Sequence, residues 1–126
     1  MTNEALNALR DAVKAAVGDM GVYIGDLPEL QEACIALRPT DGYPNTHYFG
    51  MPTTLEPLVE LLIRNADYAL GTDASSKAMK ALNNFTDEAS GIVLSKVVGS
   101  PGYLGRNTNG FGEWHFIVHV SLVTNI

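Results

Sequence analysis

Apolar positions recur along the chain in two distinct periods, and the places where the period changes divide it into elements. From Asn3 to Val17, Leu6, Leu9, Val13 and Val17 fall at helical spacing while Glu4, Asn7, Arg10, Asp11 and Lys14 take the other side. The pattern predicts an amphipathic helix, capped by Thr2 or Asn3 and ended by Gly18. Ala12, Ala15 and Ala16 thin it towards its C-terminus, so it can sit close on a sheet. Val22–Ile24 and Ala33–Arg38 then read as short strands, joined through Gly25–Glu32 as a wide hairpin.

Leu58–Arg64 alternates Val59, Leu61 and Ile63 against Leu58, Glu60, Leu62 and Arg64, a central strand. Asp67–Phe85 carries small or apolar residues at helical intervals and reads as the second helix. Asp67 is its candidate N-cap, and Gly71 weakens the first turns enough to move the expected start towards Thr72. Thr86–Gly91 reads as a polar turn and Ile92–Val98 as a strand. The last strand alternates Trp114, Phe116, Val118, Val120 and Leu122 against His115, Ile117, His119, Ser121 and Val123. Two stretches read as long connections. Pro39–Pro57 holds four prolines, and Gly99–Gly110 is rich in residues that allow sharp bends.

The expected order is α-β-β-β-α-β-β, one domain over residues 1–126. Its economical architecture is α+β, a mostly antiparallel five-stranded sheet with two helices on one face. That arrangement leaves a second face showing Leu58, Leu62, Ile117 and Val123 among Arg64, His115 and His119. A mixed face of this kind points to a subunit contact, the alternative being a loop folded back over it.

Composition narrows the function classes. The chain has 126 residues, 46% hydrophobic and 17% charged, a globular balance. Its 8 basic residues are scattered singly against 14 acidic ones, for a formal charge of −6, with no stripe to neutralise phosphates. The single cysteine, Cys34, cannot form an internal disulfide and reads as a small buried hydrophobe in a reducing compartment. The N-terminus lacks a secretory pattern, and the longest apolar stretch, Leu58–Ile63, is far shorter than the roughly 18 residues of a membrane span. A soluble protein is expected.

Candidate chemistry is sparse. His115 and His119 are four apart, but on a strand that is roughly 13 Å, too far to share one ion. His47 has no companion ligand at useful spacing. Asp26, Glu29 and Glu32 lack the apolar pocket or basic partner that would set two carboxyl pKa values apart. Gly99-x-x-Gly102-x-x-Gly105 precedes a strand instead of opening a helix, so it is not a dinucleotide fingerprint. Neither a catalytic set, nor a metal site, nor a cofactor site is expected.

Two stretches carry a resemblance. Val22–Arg38 (VYIGDLPELQEACIALR), taken with Ser100–Phe116 (SPGYLGRNTNGFGEWHF), resembles the small minor capsid proteins of long-tailed bacteriophages and looks like the tail terminator proteins. A strand ending in Arg64, followed by Asp67-Tyr68 opening a helix, is similar to that family's pattern. The resemblance spans roughly Val22 to Ile126. It implies a ring, commonly of six copies, that binds the last ring of the tail tube, stops its polymerisation and presents a surface to the head connector.

On that reading Leu58, Leu62, Arg64, His115, Ile117, His119 and Val123 are the candidate subunit interface. Tyr43, Tyr48 and Phe49 of one connection and Tyr103, Leu104 and Arg106 of the other are candidate contacts to tube or neck. The expected partners are further copies of the chain, the major tail tube protein and head connector or stopper proteins. DNA passes without specific binding, which an acidic wall favours, and the expected location is the virion, with host cytoplasm during assembly. A connector or stopper subunit of the same neck is the near alternative. The alternative of another class is a small ligand-binding or enzymatic homo-oligomer with its site under the Pro39–Pro57 connection.

Overall fold

The computed structural model describes residues 3–29, 31–46 and 53–124, and the side chains of these apart from residues 41–46, 53–55, 100, 101 and 124. The elements are α1 (Asn3–Val17), β1 (Gly21–Ile24), β2 (Cys34–Thr46), β3 (Thr53–Asn65), α2 (Tyr68–Leu82), β4 (Phe85–Asp87), β5 (Ile92–Arg106) and β6 (Gly112–Thr124), with a 3-10 turn at Glu88–Ser90.

The six strands form one sheet in the order β1-β2-β3-β6-β5-β4. The α+β class stands, while the expected five-stranded, mostly antiparallel sheet is corrected to a mixed, six-stranded one. β1 runs parallel to β2, Gly21 opposite Cys34 and Ile24 opposite Leu37, so the expected hairpin between them does not form. Both strands follow turn residues, and a β1 of four residues, roughly 13 Å long, is short enough for residues 25–33 to carry the chain back to its start. Gly25, at φ +105°, makes the turn out of β1 and donates its N–H to Leu37 O at 2.9 Å.

The second correction is at α2, which starts at Tyr68 and ends at Leu82. Asp67 is its N-cap, with Oδ1 accepting from Leu70 N at 3.0 Å. Asn83 and Asn84 end it, Asn84 taking a left-handed φ of +62° and donating its N–H to Ser95 O. Phe85 therefore opens β4, and the order becomes α-β-β-β-α-β-β-β. Ser95, fully buried on β5, donates its hydroxyl to Leu82 O at 2.5 Å and satisfies a carbonyl the helix end leaves free.

The stretches expected as loops are largely strand. β2 continues to Thr46 and β3 begins at Thr53, so much of Pro39–Pro57 is a two-stranded arm whose pairing shifts between Thr40 and Tyr43 and again between Tyr43 and Thr46. Most of Gly99–Gly110 is likewise the far half of β5, with shifts between Val98 and Gly102 and between Tyr103 and Gly105. The β2–β3 arm lies at the Thr53/Thr124 end of the central β3–β6 pair and the β5–β6 turn at its Asn65/Gly112 end, so the two arms point oppositely.

Both helices pack on one face. Ala5, Leu9 and Val13 of α1 and Ala74, Ala78 and Leu82 of α2 share one buried cluster with Ile35, Leu37, Val59, Leu61, Ile63, Trp114, Phe116, Val118, Val120 and Leu122. These are the rows that strict alternation assigned to the covered face.

Candidate functional site

The face away from the helices is built in cross-strand rows. Arg38, Glu60, Ile117 and Val98 form one, Ala36, Leu62, His115 and Gly102 the next, and Thr40, Leu58, His119 and Lys96 a third. Glu60 is its centre. Arg38 donates from Nη2 and Nε to Glu60 Oε2 at 2.8 and 3.1 Å, and His115 Nε2 lies 2.8 Å from Glu60 Oε1. Partial burial pushes the Glu60 carboxyl up, but the hydrogen bond and charge of Arg38, together with His115, outweigh it and hold the group below its ordinary range. Arg38 is held above its own, first by its hydrogen bond to Glu60.

Around this network the face is apolar. Leu58, Leu62 and Ile117 are half-buried, Val123 is exposed, and Val98 shows 54% of its surface. Val98 was missed by sequence reasoning as a member of this face. The alternation along Ile92–Val98 carries the signal, but the register shift between Ile92 and Leu94 blurs it. His115 and His119 stand over different carboxylates, since His119 Nε2 is 3.9 Å from Glu56 Oε1. No group of three or more potential metal ligands occurs among the described residues.

One end of the face is closed from within. Arg64, 8% exposed, donates to Pro28 O, to Glu29 O at 3.3 Å, and to Glu113 Oε2 at 3.2 and 3.3 Å. Its guanidinium thereby pins the 25–33 connection over the end of β2 and β3. Tyr23 Oη donates to Gln31 Oε1 at 2.7 Å across the same connection. Cys34 lies beneath it, fully buried, and burial pushes its thiol up despite the nearby Arg64 charge. So the folded-back loop covers the Cys34–Arg64 end, Ala36 in the Leu62 row is fully buried as well, and Leu58, Glu60 and Leu62 keep partial exposure.

At the β5–β6 end, Tyr103, Leu104 and Arg106 are exposed. Arg106 is turned inward along the tip, donating to Gly110 O at 2.5 Å, and Asn107 Oδ1 accepts from Asn109 N and Phe111 N. At the other end, Tyr43 pairs with Glu56 through the backbone, while Tyr48 and Phe49 lie outside the described residues.

The β5–β6 end also holds an arrangement no local pattern announced. Tyr68, Tyr103 and Trp114 pack ring against ring, with centroids 5.1, 5.7 and 5.0 Å apart. Trp114 packs against Gly71: a Cβ there would lie 2.1 and 2.2 Å from the indole Cη2 and Cζ3. The glycine that weakens α2 on propensity is thus what lets the helix pass over the tryptophan. Beside these rings an open cavity of about 280 Å³ is lined by the same three aromatics together with Thr72, Ser75, Ser76 and Met79.

The model of a protein family described as bacteriophage tail terminator protein matches residues 9–124. The chain belongs to that family. Membership makes it a tail-related structural protein of phage virions. This tail terminator family member is similar in fold to a chain of a solved particle titled "Virion of native gene transfer agent (GTA) particle". The two share 16% identity at a TM-score of 0.55, over 96% of this chain and 94% of the other. No curated protein matches the sequence.

Proposed function

We propose that the chain is one subunit of a six-membered ring that caps the tail tube, stops its polymerisation and offers the surface on which the head side joins. The observation that carries this reading is the division of labour in the sheet. One face is fully used by α1 and α2, and the other keeps Leu58, Leu62, Ile117 and Val98 open around the Arg38–Glu60–His115 network. A protein that works alone has no use for such a face.

A closed ring needs a heterologous contact, in which two unlike surfaces of one subunit meet. The open sheet face and the two oppositely directed arms supply unlike surfaces. The virion origin of the structural neighbour supports the same setting. With a formal charge of −6 per subunit, a ring repels DNA from its wall and lets it pass.

The test is solution mass by light scattering, with and without tail tube protein. A ring mass, alone or on the tube, is the expected result, and a monomer that ignores the tube overturns the reading. Binding to head connector protein without binding to tube would assign the chain to the connector side instead. Ile117→Asp places a charge in the open face, where it should abolish ring formation while the helical content and thermal midpoint stay near wild type.

A further inference from the structure

At its β5 margin the open sheet face carries a charge that the subunit itself does not answer. Lys96 is exposed, stands opposite His119 in the ladder and has no ion-pair or hydrogen-bond partner among the described residues. Two residues along the same strand and on the same face, Val98 shows 54% of its surface. On the helix side of this edge, α1 and β4 flank an open groove of the opposite character. Half-buried Ala8, Ala12 and Phe85 line it together with three acidic residues, Glu4, Asp11 and Asp87. Arg10 Nη2 lies 3.4 Å from Asp11 Oδ1, and Asp87 Oδ2 accepts from Ser90 Oγ at 2.5 Å, so one of the three charges is met by a cation and the groove stays acidic.

We propose that copies of this chain pack front to back, the open sheet face of one against the helix side of the next, with Lys96 of the first entering the α1–β4 groove of the second. The apolar stem of the lysine lies along Ala8, Ala12 and Phe85, and its ammonium meets the carboxylates. The proposal rests on the ring reading and names the contact that builds the ring. Three observations select a second copy as the occupant. The first is charge: an unanswered cation on one face and an acidic groove on the other are complementary, which fixes partner and register. The second is position. Phe85 pairs with Ser95, which is buried on the helix side, and Lys96 is the next residue and points to the opposite face. Groove and lysine therefore stand back to back, roughly 6 Å apart in the plane of the sheet. The sheet keeps the lysine from its own groove, while a copy displaced along the sheet normal brings its groove beneath it. The third is relief: α1 turns Ala8, Ala12 and Ala15 outward, a low surface on which Val98 of the neighbour can lie. Two unlike surfaces meet in this contact, so it closes into a ring when the rotation permits, and it leaves both arms free at the ends.

The experiment measures light-scattering mass on dilution, with tail tube protein present if rings need it. Lys96→Ala should raise the dissociation midpoint about tenfold, and Lys96→Glu should prevent assembly. The double variant Glu4→Lys, Asp11→Lys should fail as well, since its Lys96 then faces like charge. Mixing the Lys96→Glu protein with that double variant is the decisive measurement. One junction in the mixture is wild type and the other is charge-reversed, so a ring of alternating copies is expected although neither protein assembles alone. The thermal midpoints of the isolated subunits should stay near wild type, which separates the contact from a folding defect.

Lys96→Glu rings as tight as wild type overturn this contact and leave the ring reading standing. So does a mixture that stays monomeric, because Lys96 then meets some surface other than the groove. Loss of tube binding by Lys96→Glu at unchanged ring mass gives the lysine to the tube and overturns the contact too. A wild-type monomer in every condition overturns both.

Discussion

The two faces of the sheet are made from the same strands, yet they obey different rules. On the helix side, Val59, Leu61, Ile63, Phe116, Val118 and Val120 are buried to 2% exposure or less within one apolar cluster, with Ser95 beside Val120 bonded to the end of α2. On the other side, residues one step along the same strands put Glu60, His115 and His119 among Leu58, Leu62 and Ile117. The period of two forces the partition, but nothing in the period requires the second face to hold large apolar residues. Folding stability resides in the first face, and the second is free to be shaped by assembly.

Substitutions that separate the two contributions test this contrast. The largest effect belongs to the covered face. Phe116→Ala should cost about 3–5 kcal/mol, read from the urea midpoint, because it leaves a cavity among residues that cannot collapse into it. A loss as small as that of a surface substitution would mean the helix layer is looser than its burial implies.

Gly71→Ala comes next. On propensity alone alanine would stabilise α2 by about 1 kcal/mol, but its methyl falls on the Trp114 ring, and overpacking costs about 1–3 kcal/mol. A lower thermal midpoint is expected, and a higher one would show that the helix can shift off the tryptophan without loss.

The smallest effect is on the open face. Glu60→Gln removes the partner of Arg38 and His115, and the stability change at neutral pH should be less than that of Gly71→Ala. Its pH dependence is the sharper measurement. The folded-state carboxyl sits below its ordinary value of about 4.3, so its contribution is complete above that value and is lost as pH falls through the lowered one. Urea midpoints of wild type and Glu60→Gln should therefore converge in acid. A gap that widens on acidification would reverse the assignment.

Most of the layer structure was legible in the residues. Helix α1 begins and ends where the apolar stripe and Gly18 place it, and the alternation along Val59–Ile63 and Trp114–Leu122 names the covered face correctly. The arms were not legible, because Pro39, Pro44 and Pro57 on one and Gly99, Pro101, Gly102 and Gly105 on the other are residues that strands usually exclude. Strands tolerate them at edges and bulges, where a ladder hydrogen bond is missing already, and the register shifts on β2 and β5 are such places. Strand β4 was hidden because its three residues follow α2 after only Asn83 and Asn84, and Phe85 continues the apolar spacing of the helix. The meeting of Gly71, Ser75, Tyr103 and Trp114 is a tertiary event across more than forty residues, and each of the four has an ordinary local explanation.

The strand order also has a consequence for how the chain comes into being. β6 lies between β3 and β5, yet it is the last of the six strands to leave the ribosome. Until it emerges, the apolar run Leu58–Ile63 has an open edge and half of its covering row is missing. Its partners are distant in sequence, with Arg64 opposite Glu113, so the central seam forms only after synthesis of this region is nearly complete. Such long-range pairing is slow and leaves strand edges exposed meanwhile. A nascent chain stopped short of residue 112 has two half-sheets that share α2 but lack the strand that pairs with both, so only chains that include β6 can close the sheet.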